Sequence, residues 1–221
     1  MTPVMLFDLD GTLLDSLADI ARCGNAALEK NGLPAHTLEE YKSYIGNGAD
    51  MLIRRMLGPE GYDRYGAKVK SDYMAIYGDL CAQGGKVFPG VLEMLCALQK
   101  AGFLTAVISN KPEVQTRLIW ESTCGERLDL AQGQIDGIPR KPDPAGPREV
   151  LRRLNGSCAA YVGDSEVDMQ TGRNCGFYTV GVTWGMKPRG VLLENGADRL
   201  ADTIEELTGI LLEAGAAAKN G

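Results

Sequence analysis

Three separated apolar runs in this chain each end in a polar side chain: "VMLFD" at Asp8, "LTAVIS" at Ser109 and "YVGD" at Asp164. Short, nearly continuous apolar runs of this kind read as strands buried on both faces, which implies a parallel sheet wrapped by helices. In open parallel sheets ligands bind beyond the carboxyl ends of the strands, so three such ends can meet in one crevice. The first run is the most demanding. Asp is a poor strand former and costly to bury alone, yet Asp8 and Asp10 stand two residues apart and lead straight into Gly11-Thr12. The stretch asks for a cation or a turn.

The chain around these runs has two textures. From Ser16 to Gly84 it is helical. Leu17, Ile20, Ala21, Ala27 and Leu28 recur at threes and fours, with Ser16 placed to cap and Gly32 to stop. Thr37-Leu38-Glu39-Glu40 fits a capping box, Gly46-Asn47-Gly48 breaks that helix, and residues 49–57 and 62–77 make two more. After Gly84-Gly85 helices alternate with β-rich runs. Helices are expected in "FPGVLEMLCALQKAG", "KPEVQTRLIWEST" with Pro112 in its first turn, "DPAGPREVLRRLN", "EVDMQTGRNCG" and "DTIEELTGILLEAG". Strands are expected in "FLTAVIS", "AAYVGD" and "YTVGVTW", with an edge strand in "LDLAQGQ"; the terminal "AAAKNG" should fray.

Composition narrows the function. A net charge of -6 shows no basic excess, which argues against nucleic acid and anionic membranes as partners. No apolar run reaches membrane-spanning length, and Asp8 and Asp10 interrupt what a signal peptide would need, so the expected location is cytoplasmic. Cys23, Cys81, Cys96, Cys124, Cys158 and Cys175 form no C-x-x-C pair and read as small buried thiols. The single histidine, His36, lies in a polar connection expected at the surface, which leaves no material for a multi-histidine zinc site or a Ser-His-Asp triad. Nothing in the sequence speaks to oligomeric state.

Each polar position has a plain structural reading when taken alone. Asp10-Gly11 is also turn chemistry, Asp164 or Ser165 can cap the next helix, Asp168 is a favoured first-turn acid, and a lone lysine such as Lys141 usually decorates a surface. Together, Asp8, Asp10, Asp164 and Asp168 cannot crowd one crevice without a cation. Oxygen ligands with no nearby His or Cys favour Mg²⁺, which keeps waters and leaves room for a phosphate. A carboxylate beside such an ion can attack phosphorus, the part given to Asp8, while Asp10 can serve as acid and base. Ser109, Asn110 and Lys141 supply donors and positive charge for the transferred group.

With "DLDGTLLDS", "ISN", "KPDP" and "GDSEVD" in this order, the chain resembles the haloacid dehalogenase superfamily of phosphohydrolases, most closely its phosphoglycolate phosphatase-like branch. The resemblance implies an α/β, Rossmann-like parallel-sheet core, residues 1–16 and 85–221, and an inserted all-helical cap, residues 17–84, hinged at Asp15-Ser16 and Gly84-Gly85. It implies Asp8 as nucleophile, Asp10 as acid/base, Ser109 and Lys141 as phosphate ligands, and Asp8, Asp10, Asp164 and Asp168 around Mg²⁺, with Asp10 acting through its carbonyl. Gly11, Thr12 and Asn110, with Gly46, Asn47 and Arg54 from the cap, are the implied substrate contacts, although Gly46-Asn47-Gly48 also reads as an ordinary helix stop. The implied activity is Mg²⁺-dependent hydrolysis of a small phosphorylated metabolite, 2-phosphoglycolate, through an aspartyl phosphate. A sugar phosphomutase or pyrophosphatase of the same superfamily is the alternative, and a non-catalytic phosphometabolite-binding module is a third reading.

Overall fold

The structure, a computed structural model, describes residues 1–123 and 125–220, so Cys124 lies outside the described residues. Six parallel strands form one sheet in the order β3-β2-β1-β4-β5-β6. They are β1 (Thr2–Phe7), β2 (Leu104–Pro112), β3 (Leu130–Gln134), β4 (Gly156–Gly163), β5 (Thr179–Val182) and β6 (Arg199–Ala201). β1 runs between β2 and β4, with Phe7 opposite Val107 on one side and Val162 on the other. The chain winds outward from β1 in one direction and resumes at β4 in the other, so the point where topology reverses lies between β1 and β4. Val4, Met5, Leu6 and Phe7 are fully buried, as expected for a central strand covered on both faces.

The covering helices are α4 (Val91–Lys100), α5 (Glu113–Thr123), α6 (Ala145–Leu154), α7 (Glu166–Cys175), α8 (Arg189–Glu194) and α9 (Ile204–Asn220). β2 runs past Ser109 to Pro112 across a register shift, so Pro112 ends a strand instead of opening a helix. α8 and β6 have no counterpart among the expected elements, being too short to show a period. Among the described residues the tail stays helical: α9 continues to Asn220, with Lys219 donating to the Ala101 carbonyl at 2.7 Å and lying over the Phe103 ring, and Gly221 lies outside the described residues.

Between Leu14 and Val87 the chain builds an all-helical cap from α1 (Leu17–Lys30), α2 (Leu38–Tyr44) and α3 (Gly48–Cys81). α3 contains both expected helices, joined at a kink where Gly58 takes φ 66° ahead of Pro59, whose ring cannot continue the ladder. The capping box at Thr37 and Glu40 is present. Ser16, by contrast, makes no cap bond. His36 is half-buried, not a surface group: its Nε2 lies 2.9 Å from the Met56 carbonyl and its ring meets Tyr41 and Tyr44 edge-on. The two linkers run side by side, with Leu14 bridged to Val87, the Asp15 N–H donating to the Lys86 carbonyl, and Lys86 Nζ 2.7 Å from the Asp15 carboxylate. Cys23 and Cys81 are buried while Cys96, Cys158 and Cys175 are half-buried, all as free thiols. Among the described residues no helix is long and apolar enough to cross a membrane.

Candidate active site

Asp8 follows the last residue of β1 and Asp164 the last residue of β4, which places both carboxylates at the switch point. Oxygens of Asp8, Asp164 and Asp168 lie within 4.8 Å of one another, and all three residues are buried. Gly11 makes this approach possible. It holds φ +85°, and a side chain there would collide with the Asp164 carboxylate. Thr12 Oγ1 and the Met186 N–H donate to Asp164 at 3.2 and 2.7 Å. Asp168 closes a capping box on Ser165, accepting from its N–H and hydroxyl, and also accepts from Tyr161 at 3.3 Å.

Two buried lysines enter this acid cluster. Lys141 Nζ sits 2.6 Å from Asp8 and 2.8 Å from Asp168. Lys111 Nζ sits 2.8 Å from Asp10 and also donates to the Tyr77 hydroxyl of α3. Asn110 braces Lys141 from both sides, accepting from its N–H at 2.9 Å and donating to its carbonyl at 3.2 Å, while the same amide donates to the Gly46 carbonyl of the cap at 3.1 Å. Ser109 is buried at the crevice, where its hydroxyl accepts from the Lys111 N–H.

The electrostatics identify what the site can hold. Burial, then the neighbouring Asp168 charge, pushes Asp8 up to about 7 despite Lys141. Burial, with Asp168 and Asp8, drives Asp164 well above the usual carboxylate range. Burial opposes the charge on Lys141, but Asp168 and Asp8 outweigh it and raise its pKa. Four carboxylates against two ammonium groups leave two negative charges when all are ionised. A divalent cation on the oxygen cluster matches that residue of charge, so the side chains present fit a divalent metal.

A cleft of about 670 Å³ opens above these groups, walled on the sheet side by Asp8, Asp10, Ser109, Asn110, Lys111 and Asp164 and on the cap side by apolar residues of α1 and α3. Several expected substrate contacts do not reach it. Arg54 is exposed and stacks on the Tyr62 ring, and Asn47 turns to Arg55, accepting from Nη2 at 2.7 Å. Thr12 is fully buried on Asp164, and Gly11 serves the same carboxylate. Of the expected cap residues only Gly46 lines the cleft. Lys111, Tyr77 and Lys187 line it without having been singled out from the sequence. The signal for Lys111 was its position two residues after Ser109, in a strand that runs on to Pro112.

An acid cluster suited to a divalent cation, at the switch point of a doubly wound sheet, marks an α/β protein built to hold an anionic ligand beside a metal. The family model of haloacid dehalogenase-like hydrolases matches residues 5–182, and the chain belongs to that family. It is 35% identical over 195 residues to a phosphoglycolate phosphatase of Rhodobacter capsulatus, covering 85% of this chain and 87% of that one. A phosphoglycolate phosphatase of Vibrio parahaemolyticus is 32% identical over 217 residues, covering 92% of this chain and 93% of its own length. Among solved structures, a predicted phosphoglycolate phosphatase from Haemophilus somnus superposes with a TM-score of 0.85 at 26% identity, covering 95% of this chain and 97% of that one.

Proposed function

We propose that the protein is a Mg²⁺-dependent phosphatase that hydrolyses 2-phosphoglycolate through an aspartyl phosphate on Asp8. The observation that carries this reading is the pairing of a carboxylate at the end of β1 with a second acid two residues on, beside a buried cluster suited to a divalent ion. The names of the relatives supply the substrate. The carboxylates of Asp8 and Asp164 and the carbonyl of Asp10 would hold Mg²⁺, with Asp168 behind them; when bound, the ion supplies positive charge to the phosphate and relieves the repulsion among the acids.

An oxygen of Asp8 attacks phosphorus as the bond to the ester oxygen breaks, and Asp10 donates the proton that the departing glycolate takes up. Asp10 then accepts a proton from water attacking the aspartyl phosphate, which releases inorganic phosphate and restores Asp8. Lys141 keeps the charge on Asp8 compensated, while the Ser109 hydroxyl and the strand end around Asn110 receive the phosphate oxygens. The core is assigned to residues 1–16 and 85–221 and the cap to residues 17–84, with the paired linkers as hinge. Free thiols and an acidic chain fit a reducing cytoplasm and a small-molecule partner.

Phosphate release from 2-phosphoglycolate is measured with Mg²⁺, with chelator, and with Asp8→Asn. The expected result is turnover that either chelator or the substitution reduces by at least about 10³-fold. Turnover that survives Asp8→Asn refutes the mechanism, and cleavage of pyrophosphate or rearrangement of a sugar phosphate in its place refutes the substrate.

A further inference from the structure

The cap side of the cleft contributes no charged side chain: its walls are Ile20, Ile45, Ala49, Leu52, Tyr73 and Met74 with the glycine turn and Tyr77. Arg54, the cap cation expected there, lies outside. A substrate carrying a second acidic group must therefore find its counter-charge on the core. Lys141 does not line the cleft and is engaged by Asp8 and Asp168. Lys187 and Lys111 both line it; Lys187 is the more exposed, facing Glu166 at 3.7 Å, and Lys111 is the one buried beside Ser109 on β2. Its side chain is only 3% exposed, one N–H meets Asp10 and another meets the Tyr77 hydroxyl, so the ammonium has a third N–H to offer the cleft.

We propose that Lys111 is the specificity-determining cation of this site, binding the carboxylate of a short phosphate ester while Ser109, which lines the same cleft, binds its phosphate. The inference rests on the phosphatase reading above and names how that site tells its substrate from other esters. Both side chains line the cleft and the Ser109 hydroxyl accepts from the Lys111 N–H at 3.2 Å, a closeness that suits a two-carbon ester held by donors at both acidic ends and is short for a sugar phosphate. The stacked rings of Tyr73 and Tyr77, 5.2 Å apart, fix the hydroxyl that holds the ammonium. Selectivity for the acid then comes from the sheet, and the cap supplies shape and exclusion of water.

The test compares 2-phosphoglycolate with 2-hydroxyethyl phosphate, which carries a hydroxymethyl group where the carboxylate would be, in the wild type, Lys111→Met and Lys111→Arg. The quantity read is the ratio of kcat/KM values for the two esters. Wild type favours the acid; Lys111→Met lowers that preference by about 10²-fold, mainly through KM, and Lys111→Arg retains most of it. Calorimetric binding of both esters in an Asp8→Asn background should show the same loss of preference without turnover. Where Lys111→Met fails to fold, Lys111→Gln is read the same way. An equal loss on both esters overturns the inference, because Lys111 then serves only to position Asp10. A wild type that releases phosphate from no small ester overturns the phosphatase reading itself, a result visible without any Lys111 variant.

Discussion

Replacing Lys141 by Met keeps the aliphatic stem and removes only the ammonium, which makes it a clean probe of the charge arrangement at the strand ends. The buried ammonium lies 2.6 Å from Asp8 and 2.8 Å from Asp168, so its loss strips two carboxylates of their nearest compensation. Removing one partner of a buried ion pair costs about 3–5 kcal/mol. For a chain of this size each kcal/mol moves the melting temperature by roughly 2–4 °C, so a fall of about 6–20 °C is expected at pH 8 in chelator. The cost depends on pH in a definite direction. Asp8 titrates near 7 in the folded protein, so at pH 8 it is mostly ionised and needs the lysine, whereas at pH 5 it is protonated and its pairing with the lysine is already gone. Calorimetric melts of wild type and Lys141→Met should therefore differ more at pH 8 than at pH 5. Equal destabilisation at both values would refute the reasoning and assign Lys141 a packing role.

Three further outcomes follow from the same geometry. Because Asp8 is held above its ordinary 3.8, the metal-free fold binds protons more tightly than the unfolded chain and loses stability as pH rises from about 4 to 7; the rise in melting temperature on adding Mg²⁺ should grow from pH 5 to pH 8, and an increment independent of pH contradicts this. Gly11→Ala forces a left-handed backbone onto a residue with a side chain and drives a methyl into the Asp164 carboxylate, so thermal melts should show a loss of about 1–3 kcal/mol and Mg²⁺ titration a weakened metal site. Arg54→Ala should leave kcat/KM for 2-phosphoglycolate within about 2-fold of wild type, since that side chain stacks on Tyr62 outside the cleft; a larger loss would place it in contact with substrate.

The strand ends were legible because burial and chemistry write different letters side by side: four apolar residues and then Asp8, or Tyr161-Val162-Gly163 and then Asp164. The interruption between residues 57 and 62, which the structure makes a kink at Gly58 inside α3, and the capping box at Thr37 were legible for the same local reason, as each is decided within a few residues. What escaped depends on contacts across the chain. The half-buried state of His36 is set by Met56 and by the rings of Tyr41 and Tyr44, and the last turns of α9 are held by Phe103 and Ala101. Arg54 and Asn47 belong to the right segment, but the phase of α3 and of the turn before it, which decides where they point, is set by packing against α1. Lys111 was hidden by the rule that a lysine prefers water; its nearness to Ser109 in the chain is the trace it leaves.

The bridge between Leu14 and Val87 makes the attachment of α1 to α3 a graft with a single seam. The chain leaves the core and returns to it at adjacent residues, so closing the segment between them adds little to the cost of building the sheet. A second set of contacts holds the inserted helices down, among them Asn110 to the Gly46 carbonyl and Lys111 to the Tyr77 hydroxyl. The strand ends that carry the chemistry lie on one side of the seam and the apolar walls that shape the cleft on the other. Lys111 is a discriminating group that lies with the sheet and not with the graft.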